Sequence, residues 1–252
     1  MSMGESKKIR LENITKSFDS QSGRVDVLDG ISLDVRENEF LVLFGPGQCG
    51  KTVLLNIMAQ LELPDSGSVI YEDNRKVHGI IGVVFQQYAL FPWKTVIQNV
   101  EMNQKFKGVR KKQRREEAME YIKLVGLEGF ENHFPAQLSG GMKQRVGIAR
   151  AYATKSDIIL MDEPFGALDA QTRYQMQEEI LRIWKQKKVT IVFITNNVEE
   201  ALYLGDRIIV LSNKPCKVIQ EFIPDLEKPR KNTDIAFLKL RGEITGKVDL
   251  AL

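Results

Sequence analysis

One short stretch constrains the fold of this chain more than any other, the run GPGQCGKT from Gly45 to Thr52. It fits the pattern G-x-x-x-x-G-K-[ST], in which glycines let backbone amides turn inward and cradle phosphate groups. The apolar run EFLVLFG leads into it, and KTVLLNIMAQL, with apolar residues at helical spacing, follows from it. A buried strand, a tight loop and a helix in this order predict an α/β fold that binds phosphate at the helix N-terminus.

The loop provides the first candidate site residues, and their chemistry indicates a nucleotide with magnesium. Lys51 is expected to reach the β- and γ-phosphates, and the Thr52 hydroxyl is expected to bind Mg²⁺. The remaining loop positions assigned to nucleotide binding are Gly45, Pro46, Gly47, Gln48, Cys49 and Gly50.

The composition excludes several classes of protein. The chain has 252 residues, of which 43% are hydrophobic and 27% are charged, as in an ordinary globular protein. No apolar run approaches the roughly 20 residues that span a bilayer, and the amino-terminal residues lack the apolar segment of a secretory signal. A net charge of +3 is too small to indicate nucleic-acid binding, and two cysteines and two histidines suggest no disulfide framework or metal cluster. We therefore expect a cytosolic chain that reaches a membrane only through a partner.

Strand and helix patterns alternate along the chain and predict a mostly parallel sheet covered on both faces. Compact apolar strands separated by helical stretches recur in its second half: DIILMD, TIVFIT and RIIVLS. Before them lies a long region in which apolar residues fall at helical spacing without a convincing strand. We therefore predict one domain of residues 1–252, with a nucleotide-binding core of residues 1–87 and 156–252 and a helical subdomain of residues 88–155.

The stretch IILMDEPFGALD, Ile158 to Asp169, is an acidic strand end that complements the loop. Its apolar residues bury a strand and direct Asp162 toward the water shell of a bound metal ion. Glu163 then lies beside the terminal phosphate, where a carboxylate can orient and deprotonate the attacking water. The alternative is an ordinary acidic turn after a strand.

The stretch LSGGMKQR, Leu138 to Arg145, decides the class of protein. One serine and two glycines opening a helix form a second phosphate cradle, and one site cannot easily use two cradles. Together with VFQQYALFPW, these motifs make the chain resemble the ATP-binding cassette family, the ATPase subunits of ABC transporters. The resemblance runs nearly from end to end, with the motifs in the family's order and approximate spacing.

The resemblance implies a fold and further residue roles. The implied fold is a P-loop NTPase core with a mostly parallel sheet, an antiparallel β subdomain and a helical subdomain that carries the signature.

The resemblance also assigns roles to single residues. Gln86 would be the Q-loop glutamine, which touches Mg²⁺ and links the nucleotide to the helical subdomain. Phe18 would stack on adenine, with an ordinary core phenylalanine as the alternative, and Asp169 would contact the phosphate loop of an opposite subunit. The signature would close over that subunit's ATP through Ser139, Gly140 and Gly141. The implied ligands of Mg²⁺ are Thr52, Gln86 and Asp162.

The switch histidine of the family is replaced in this chain. The strand after the catalytic carboxylate normally ends Thr-His-Asp, and here the three positions are Thr195, Asn196 and Asn197. Asn196 takes the place of the histidine that holds the γ-phosphate, and Asn197 is the better candidate for a helix N-cap. An asparagine amide can donate a hydrogen bond but cannot carry a proton or a positive charge. With Glu163 retained as the catalytic carboxylate, we expect intact ATP binding and slowed hydrolysis; the alternative is that Asn196 is a working substitute.

Other positions also depart from the family pattern. Gly47 and Gln48 replace a usual Ser-Gly pair, and Val53 replaces a usual hydroxyl residue. His78 and His133 precede the Q-loop strand and the signature, so neither is expected to substitute for the switch histidine.

Two less specific sequence features resemble those of the nitrate, sulfonate and taurine import branch of the family. They are the Phe-Pro-Trp after the Q-loop and a short tail that carries Pro-Arg before a helix. The resemblance implies transmembrane permease subunits, a second ATPase subunit and, indirectly, an extracytoplasmic solute-binding protein, with no nucleic acid. A groove beside Gln86 would receive the permease, with Phe91 and Trp93 as candidate contacts or, alternatively, core residues. The chain would then be peripheral, at the cytoplasmic face of the cell membrane.

Three functions are compatible with the sequence. The favoured one is the ATP-hydrolysing subunit of an importer. The second is a clamp that binds ATP with little turnover and pairs with an active ATPase. The third is a soluble cassette ATPase of DNA repair or translation, which is least favoured because such proteins usually have two cassettes or a long coiled-coil insertion.

Overall fold

A computed structural model describes residues 6–21, 23–72 and 81–249 of the chain. By its internal contacts the chain divides into two compact units, a first unit of Met1–His78 with Thr190–Leu252 and a second unit of Gly79–Val189. The strands in the described ranges are β1 (Lys7–Ser20), β2 (Gly23–Arg36), β3 (Phe40–Phe44), β4 (Ser66–Tyr71), β5 (Ile81–Val84), β6 (Ile158–Asp162), β7 (Thr190–Thr195), β8 (Arg207–Leu211) and β9 (Val218–Phe222). The helices are α1 (Lys51–Met58), α2 (Val96–Val100), α3 (Met102–Phe106), α4 (Lys111–Leu124), α5 (Gly140–Tyr152), α6 (Ala170–Lys187), α7 (Val198–Leu204) and α8 (Ile235–Asp249).

The first unit contains an antiparallel sheet in the order β2-β1-β4. Along β1 the buried residues Ile9, Leu11 and Ile14 are separated by exposed polar ones, so that one face of the strand packs inward. Leu11 pairs with Leu33 of β2 on one side and with Val69 of β4 on the other. The predicted antiparallel β subdomain is confirmed.

The same unit contains a mostly parallel arrangement of strands in the order β7-β3-β8-β9. Every residue of β3, β7 and β8 is buried, which explains why their sequences are almost continuous apolar runs. The predicted strands and their parallel pairing are confirmed for these three. The sequence did not predict β9, which pairs antiparallel with β8 through Ile208 and Phe222. Its run VIQEF mixes charged and apolar residues because β9 is only partly buried.

A buried ion cluster joins the strands of this unit. Arg207, the first residue of β8, donates from Nε and Nη2 to the two carboxylate oxygens of Glu39, at 3.0 and 2.8 Å. Its Nη1 donates to Glu221 of β9 at 3.0 Å. Arg207 and Glu39 are both buried, so each charge depends on the other for compensation.

The carboxyl-terminal tail is tied to the first unit by a buried arginine. Arg230 donates hydrogen bonds to backbone carbonyls of Leu202 and Gly205 at the end of α7, and to Leu226 and Pro224 of the tail itself. The Pro-Arg pair that resembled the tail of the import branch therefore has a structural role, because it positions the segment that leads into α8.

The second unit pairs β5 with β6 in parallel, with Ile81 opposite Ile158, and carries α2 to α6. Residues 88–155 are all described and contain no strand, in agreement with the helical pattern of that region. The run VIQNVEMNQKF forms two short helices, α2 and α3, which meet at Glu101. The buried Glu101 carboxylate accepts from Arg114 of α4 at 3.1 Å, which fixes the junction. The functional division into core and helical subdomain stays a prediction, since β5 and β6 fall into the same compact unit as the helices.

Candidate nucleotide-binding site

The phosphate loop contains two glycines that have little room for a side chain. A Cβ on Gly45 would lie 3.0 Å from the carbonyl oxygen of Leu211, at the end of β8. Gly50 has a φ of +124°, and a Cβ there would lie 2.9 Å from Cγ1 of Val27. The loop therefore packs closely on β8 and β2, and its backbone follows a path that favours glycine.

Lys51 is the first residue of α1, and its side chain reaches back into this loop. Its side chain is only 3% exposed. The Nζ atom donates to the carbonyl oxygens of Gly45 at 3.0 Å and of Pro46 at 2.6 Å. Thr52, the next residue of α1, is exposed. An ammonium group, the amides at the start of a helix and an exposed threonine together form a site suited to phosphate and a divalent cation.

The two unusual loop residues differ in their backbone conformation. Gln48 has a φ of 60°, in the left-handed region that glycine adopts without cost. At Gly47 a Cβ would meet no atom of the described residues within 4 Å. The loop thus has glutamine at position 48, where the backbone conformation favours glycine. It has glycine at position 47, where there is room for a side chain.

The strand that precedes the two asparagines lies beside the strand that precedes the loop. β7 and β3 are parallel and end in register, with Thr195 opposite Phe44. The next residue of each chain segment, Asn196 and Gly45, therefore leaves the sheet at the same edge. Ligands of parallel α/β sheets bind at this carboxyl edge.

Asn196 and Asn197 have different environments. The Oδ1 of Asn197 accepts from the backbone amides of Glu199 at 2.8 Å and Glu200 at 3.1 Å, so Asn197 is the N-cap of α7, as predicted. The hydroxyl of Thr195 donates to the Glu200 carboxylate at 2.6 Å. Asn196 is exposed, and its side chain makes no hydrogen bond within the described ranges.

The acidic strand end and the Q-loop share an edge of the second unit. β5 and β6 are parallel, with Val84 opposite Met161, and Gln86 follows just after β5. Asp162 ends β6 and is buried, whereas Gln86 is exposed. Glu163 has a φ of 40°, a strained conformation for a non-glycine residue. Strain of this kind is often retained where a side chain must be held in one direction for function.

The signature opens a helix, as predicted. Ser139 is the N-cap of α5, and its Oγ accepts from the backbone amide of Met142 at 3.3 Å. A Cβ on Gly141 would lie 2.8 Å from Cγ2 of Thr172, and one on Gly140 would lie 3.0 Å from the Tyr88 hydroxyl. Glycine at these two positions therefore lets the start of the helix pack closely against the side chains of Thr172 and Tyr88.

Asp169 is an exposed N-cap of α6. Its carboxylate accepts from the backbone amide of Thr172 at 3.0 Å and from the Thr172 hydroxyl at 2.7 Å. The backbone hydrogen bond, followed by the hydroxyl, lowers the pKa of Asp169 below its ordinary value. Asp169 thus has a local structural role in addition to the role that the family resemblance implies.

Two aromatic residues for which a core role was the alternative are exposed. Phe18 of β1 is 41% exposed, and the Nζ of Lys16 lies 5.2 Å from its ring centroid. Trp93 is 68% exposed and its ring centroid lies 5.7 Å from that of Phe91. Phe18 and Trp93 are therefore available as contact surfaces, so the core interpretation is wrong for both.

A buried asparagine that the sequence did not single out holds the segment of Phe91 and Trp93. The Oδ1 of Asn99 accepts from the backbone amide of Phe91 at 2.9 Å. Its Nδ2 donates to the carbonyl oxygens of Lys94 and Thr95, both at 3.0 Å. The feature of the sequence that could have indicated this role is a polar residue, Asn99, within the mostly apolar helix VIQNV.

The site residues are distributed over both units. The phosphate loop, Phe18 and Asn196 belong to the first unit, and the other candidates belong to the second: Gln86, Ser139, Gly140, Gly141, Asp162, Glu163 and Asp169. His133 belongs to the second unit, where its ring lies 5.0 Å from that of Phe130. His78 lies outside the described residues.

The described residues contain no cluster of three or more His, Cys, Asp or Glu side chains arranged to hold a metal ion. None of the helices in these ranges has the length and hydropathy of a membrane span.

Known proteins resemble the chain over most of its length. Residues 28–166 match the family described as ABC transporter. The chain is 44% identical over 248 residues to the taurine import ATP-binding protein TauB of Rhizobium johnstonii, with 94% of each protein covered. It is 39% identical over 238 residues to the aliphatic sulfonates import ATP-binding protein SsuB of Bacillus thuringiensis, again with 94% of each covered.

A solved structure supports the same assignment. It is the dimeric post-hydrolysis state of an ATP-binding cassette bound to ADP and Pi, and it matches with a TM-score of 0.75 and 35% identity. The match covers 88% of this chain and 99% of that one. The chain belongs to the ABC transporter family, as one of its ATP-hydrolysing, ATP-binding subunits.

Proposed function

We propose that this chain is the ATPase subunit of an importer for taurine or related organic sulfonates. The observation that carries the ATP-binding part is the phosphate loop, in which Gly45 and Gly50 allow close packing and Lys51 faces the loop carbonyls. The solute class rests on the relatives named for taurine and aliphatic sulfonate import, which align over 94% of the chain.

In this proposal the chain's own residues hold and activate the reactants. The loop from Gly45 to Thr52 binds the phosphates of ATP, and Phe18 stacks on the adenine. Thr52, Gln86 and Asp162 would hold Mg²⁺, which would neutralise negative charge on the phosphates. Glu163 orients the attacking water and accepts its proton.

The proposed active form is a dimer of two ATPase subunits, identical or different. Ser139, Gly140 and Gly141 meet the γ-phosphate of the ATP held by the other subunit. Asp169 contacts that subunit's phosphate loop. The exposed Ser139 at the N-cap of α5 supports this role, because the start of a helix favours a phosphate group.

Transport requires permease subunits, and we propose that the segment of Phe91 and Trp93 contacts them. The exposure of Trp93 and the hydrogen bonds of Asn99 that hold this segment support the proposal. The chain then works at the cytoplasmic face of the membrane, and a solute-binding protein acts on the other side. In this proposal residues 88–155 form the helical subdomain that carries the signature, and residues 1–87 and 156–252 form the nucleotide-binding core.

We further propose that Asn196 makes hydrolysis slower than in relatives with histidine. Its exposed amide can donate a hydrogen bond to the γ-phosphate, but it cannot carry a positive charge. Loss of one transition-state donor costs about 10²–10³ in rate, and a partial substitute costs less. A clamp subunit with little turnover, paired with an active ATPase, is the second candidate, favoured by Asn196 together with the left-handed Gln48 in the loop.

Phosphate release with Mg²⁺ and ATP tests these proposals. The parent, Asn196→His and Glu163→Gln should be compared at a concentration that permits dimerisation. We expect the parent to exceed Glu163→Gln and Asn196→His to exceed the parent. If histidine brings no gain, Asn196 is a full substitute; if the parent equals Glu163→Gln, the chain is a clamp. Uptake of labelled taurine by cells with and without the gene tests the solute class, and unchanged uptake would contradict it.

A further inference from the structure

The corner between α3 and α4, residues 105–115, concentrates positive charge. Seven of the chain's 36 Lys and Arg residues lie in this corner and none of its 33 Asp and Glu residues does, so the rest of the chain is net negative. The corner belongs to the second unit. Its charge is therefore a local property that the small net charge of the whole chain conceals. The basic residues are Lys105, Lys107, Arg110, Lys111, Lys112, Arg114 and Arg115.

Most of these cations have no acidic partner. Arg114 pairs with the Glu101 carboxylate at 3.1 Å. Within the described ranges, none of the other six basic residues forms an ion pair with an acidic side chain. Five of those six are exposed, and Arg115 is half-buried. The corner thus presents several uncompensated positive charges to its surroundings.

The charges also oppose the local requirements of helix α4. The start of a helix favours acidic side chains, because the aligned backbone dipoles place partial positive charge there. In α4 the N-cap is Arg110, which makes no capping hydrogen bond, and the first turn begins with Lys111 and Lys112 and contains no acid. Lys111 and Arg115 are four residues apart, a spacing at which like charges repel. Local rules are broken in this way where a surface serves binding.

The backbone of the corner is nevertheless firmly held. Arg114, besides pairing with Glu101, donates from Nη1 to the carbonyl oxygen of Val109 at 3.1 Å. The buried Gln104 donates from Nε2 to the carbonyl oxygen of Ala153, the C-cap of α5, at 3.0 Å. The exposed cations therefore stand on a preformed surface, which lowers the entropic cost of binding a partner.

One large apolar side chain is exposed among the cations. Phe106, the last residue of α3, is 81% exposed. Basic residues attract the headgroups of an anionic bilayer, and an aromatic ring beside them can enter the boundary between headgroups and acyl chains. The corner combines both features.

We propose that the corner between α3 and α4 binds the anionic phospholipid surface of the membrane. Its positive charge complements the headgroups, and Phe106 inserts between them. The choice of a bilayer rather than a nucleic acid rests on the proposed function, in which the segment of Phe91 and Trp93 contacts permease subunits. Helix α2 begins just after that segment and packs against α4 in the same unit. The lipid contact therefore supplements the permease contact.

Sedimentation of the purified chain with vesicles tests the proposal. Vesicles of equal parts phosphatidylglycerol and phosphatidylcholine should bind the chain, and vesicles of phosphatidylcholine alone should not. Added salt should weaken binding, because it screens the headgroup charge. Joint Lys111→Gln and Lys112→Gln substitution should weaken binding about thirtyfold, since each lysine near an anionic surface contributes about fivefold. Phe106→Ala should weaken binding at every salt concentration, because burial of the ring does not depend on charge.

Joint Lys231→Gln and Lys239→Gln substitution is the matched control. Both lysines are exposed in the carboxyl-terminal part of the chain, so the control removes the same net charge at another place. It should leave vesicle binding almost unchanged, and circular dichroism should show that both double variants remain folded.

Three results would overturn the proposal: no binding to the anionic vesicles, an equal loss in the two double variants, or binding of a DNA duplex without binding of vesicles. The measurement needs no nucleotide. A chain that binds vesicles through the corner and does not hydrolyse ATP would therefore contradict only the proposed function.

Discussion

At the scale of single residues, neighbouring positions of the site have separate physical roles. Asn197 satisfies two backbone amides at the start of α7, whereas Asn196 projects from the sheet edge without a hydrogen bond in the described part of the chain. In the loop, Gln48 occupies a left-handed conformation next to Gly47, which does not need to be glycine. Substitutions at such pairs can separate structural from functional effects.

The asparagine pair gives the first prediction. Asn197→Ala should lower the free energy of unfolding by about 1 kcal/mol, because it removes an N-cap. Asn196→Ala should change it by less than about 0.5 kcal/mol, as for other surface positions. Urea unfolding of both variants measures this. Equal losses at the two positions would mean that Asn197 does not act as the cap.

The loop pair gives the second prediction. Gln48→Gly should raise the free energy of unfolding by about 0.5–1 kcal/mol, because relief of the left-handed strain outweighs the greater freedom of glycine in the unfolded chain. Gly47→Ala is the control, since a Cβ there meets no described atom within 4 Å. It should be neutral or slightly stabilising. A destabilised Gln48→Gly variant in a urea titration would show that the Gln48 side chain makes a contribution larger than its strain.

At the scale of elements, the first unit combines apolar strands with one buried charge cluster. β3, β7 and β8 are held mainly by burial of continuous apolar runs. Arg207 and Glu39 join the beginning of β8 to the residue just before β3, and Glu221 adds β9. Buried pairs contribute little net stability as a pair, but removing one partner leaves an uncompensated charge.

This asymmetry gives the third prediction. Arg207→Ala should destabilise the chain by about 3–5 kcal/mol, because Glu39 would remain buried without a partner. Arg241→Ala, which removes an exposed pair with Glu199 at 2.7 Å, should cost less than about 1 kcal/mol. Chemical denaturation of the two variants distinguishes the cases. Comparable losses would indicate that water reaches Glu39 once the guanidinium is gone.

At the scale of the whole molecule, nucleotide binding should be linked to stability. A ligand that binds only the folded chain at 100 times its Kd adds about 2.7 kcal/mol. ATP with Mg²⁺ should therefore raise the unfolding midpoint of the parent, whereas Lys51→Ala should gain much less because it lacks the buried ammonium of the loop. Thermal unfolding of each protein with and without ATP and Mg²⁺ measures the shift in its midpoint. An equal gain in Lys51→Ala would place the ATP elsewhere.

The sequence predicted those features of the fold that depend on local pattern. The strand, loop and helix around Gly45 to Thr52, the apolar strands β6 to β8 and the signature helix α5 all follow from periodicity, glycine placement and capping residues. The partly buried β9 was missed because its alternation is weak and its strand character comes from pairing with β8. Asn99 was missed because a single polar residue does not reveal which carbonyls it meets.

The sequence by itself determined the family, the ATP-binding motifs and the identity of the capping asparagine, because each depends on residues that are adjacent along the chain. Only the tertiary structure decided which distant residues meet. It placed Thr195 opposite Phe44, joined Arg207 to Glu39, and exposed Phe18 and Trp93. The physical reason is that such contacts arise from strand register and packing, which no local propensity encodes.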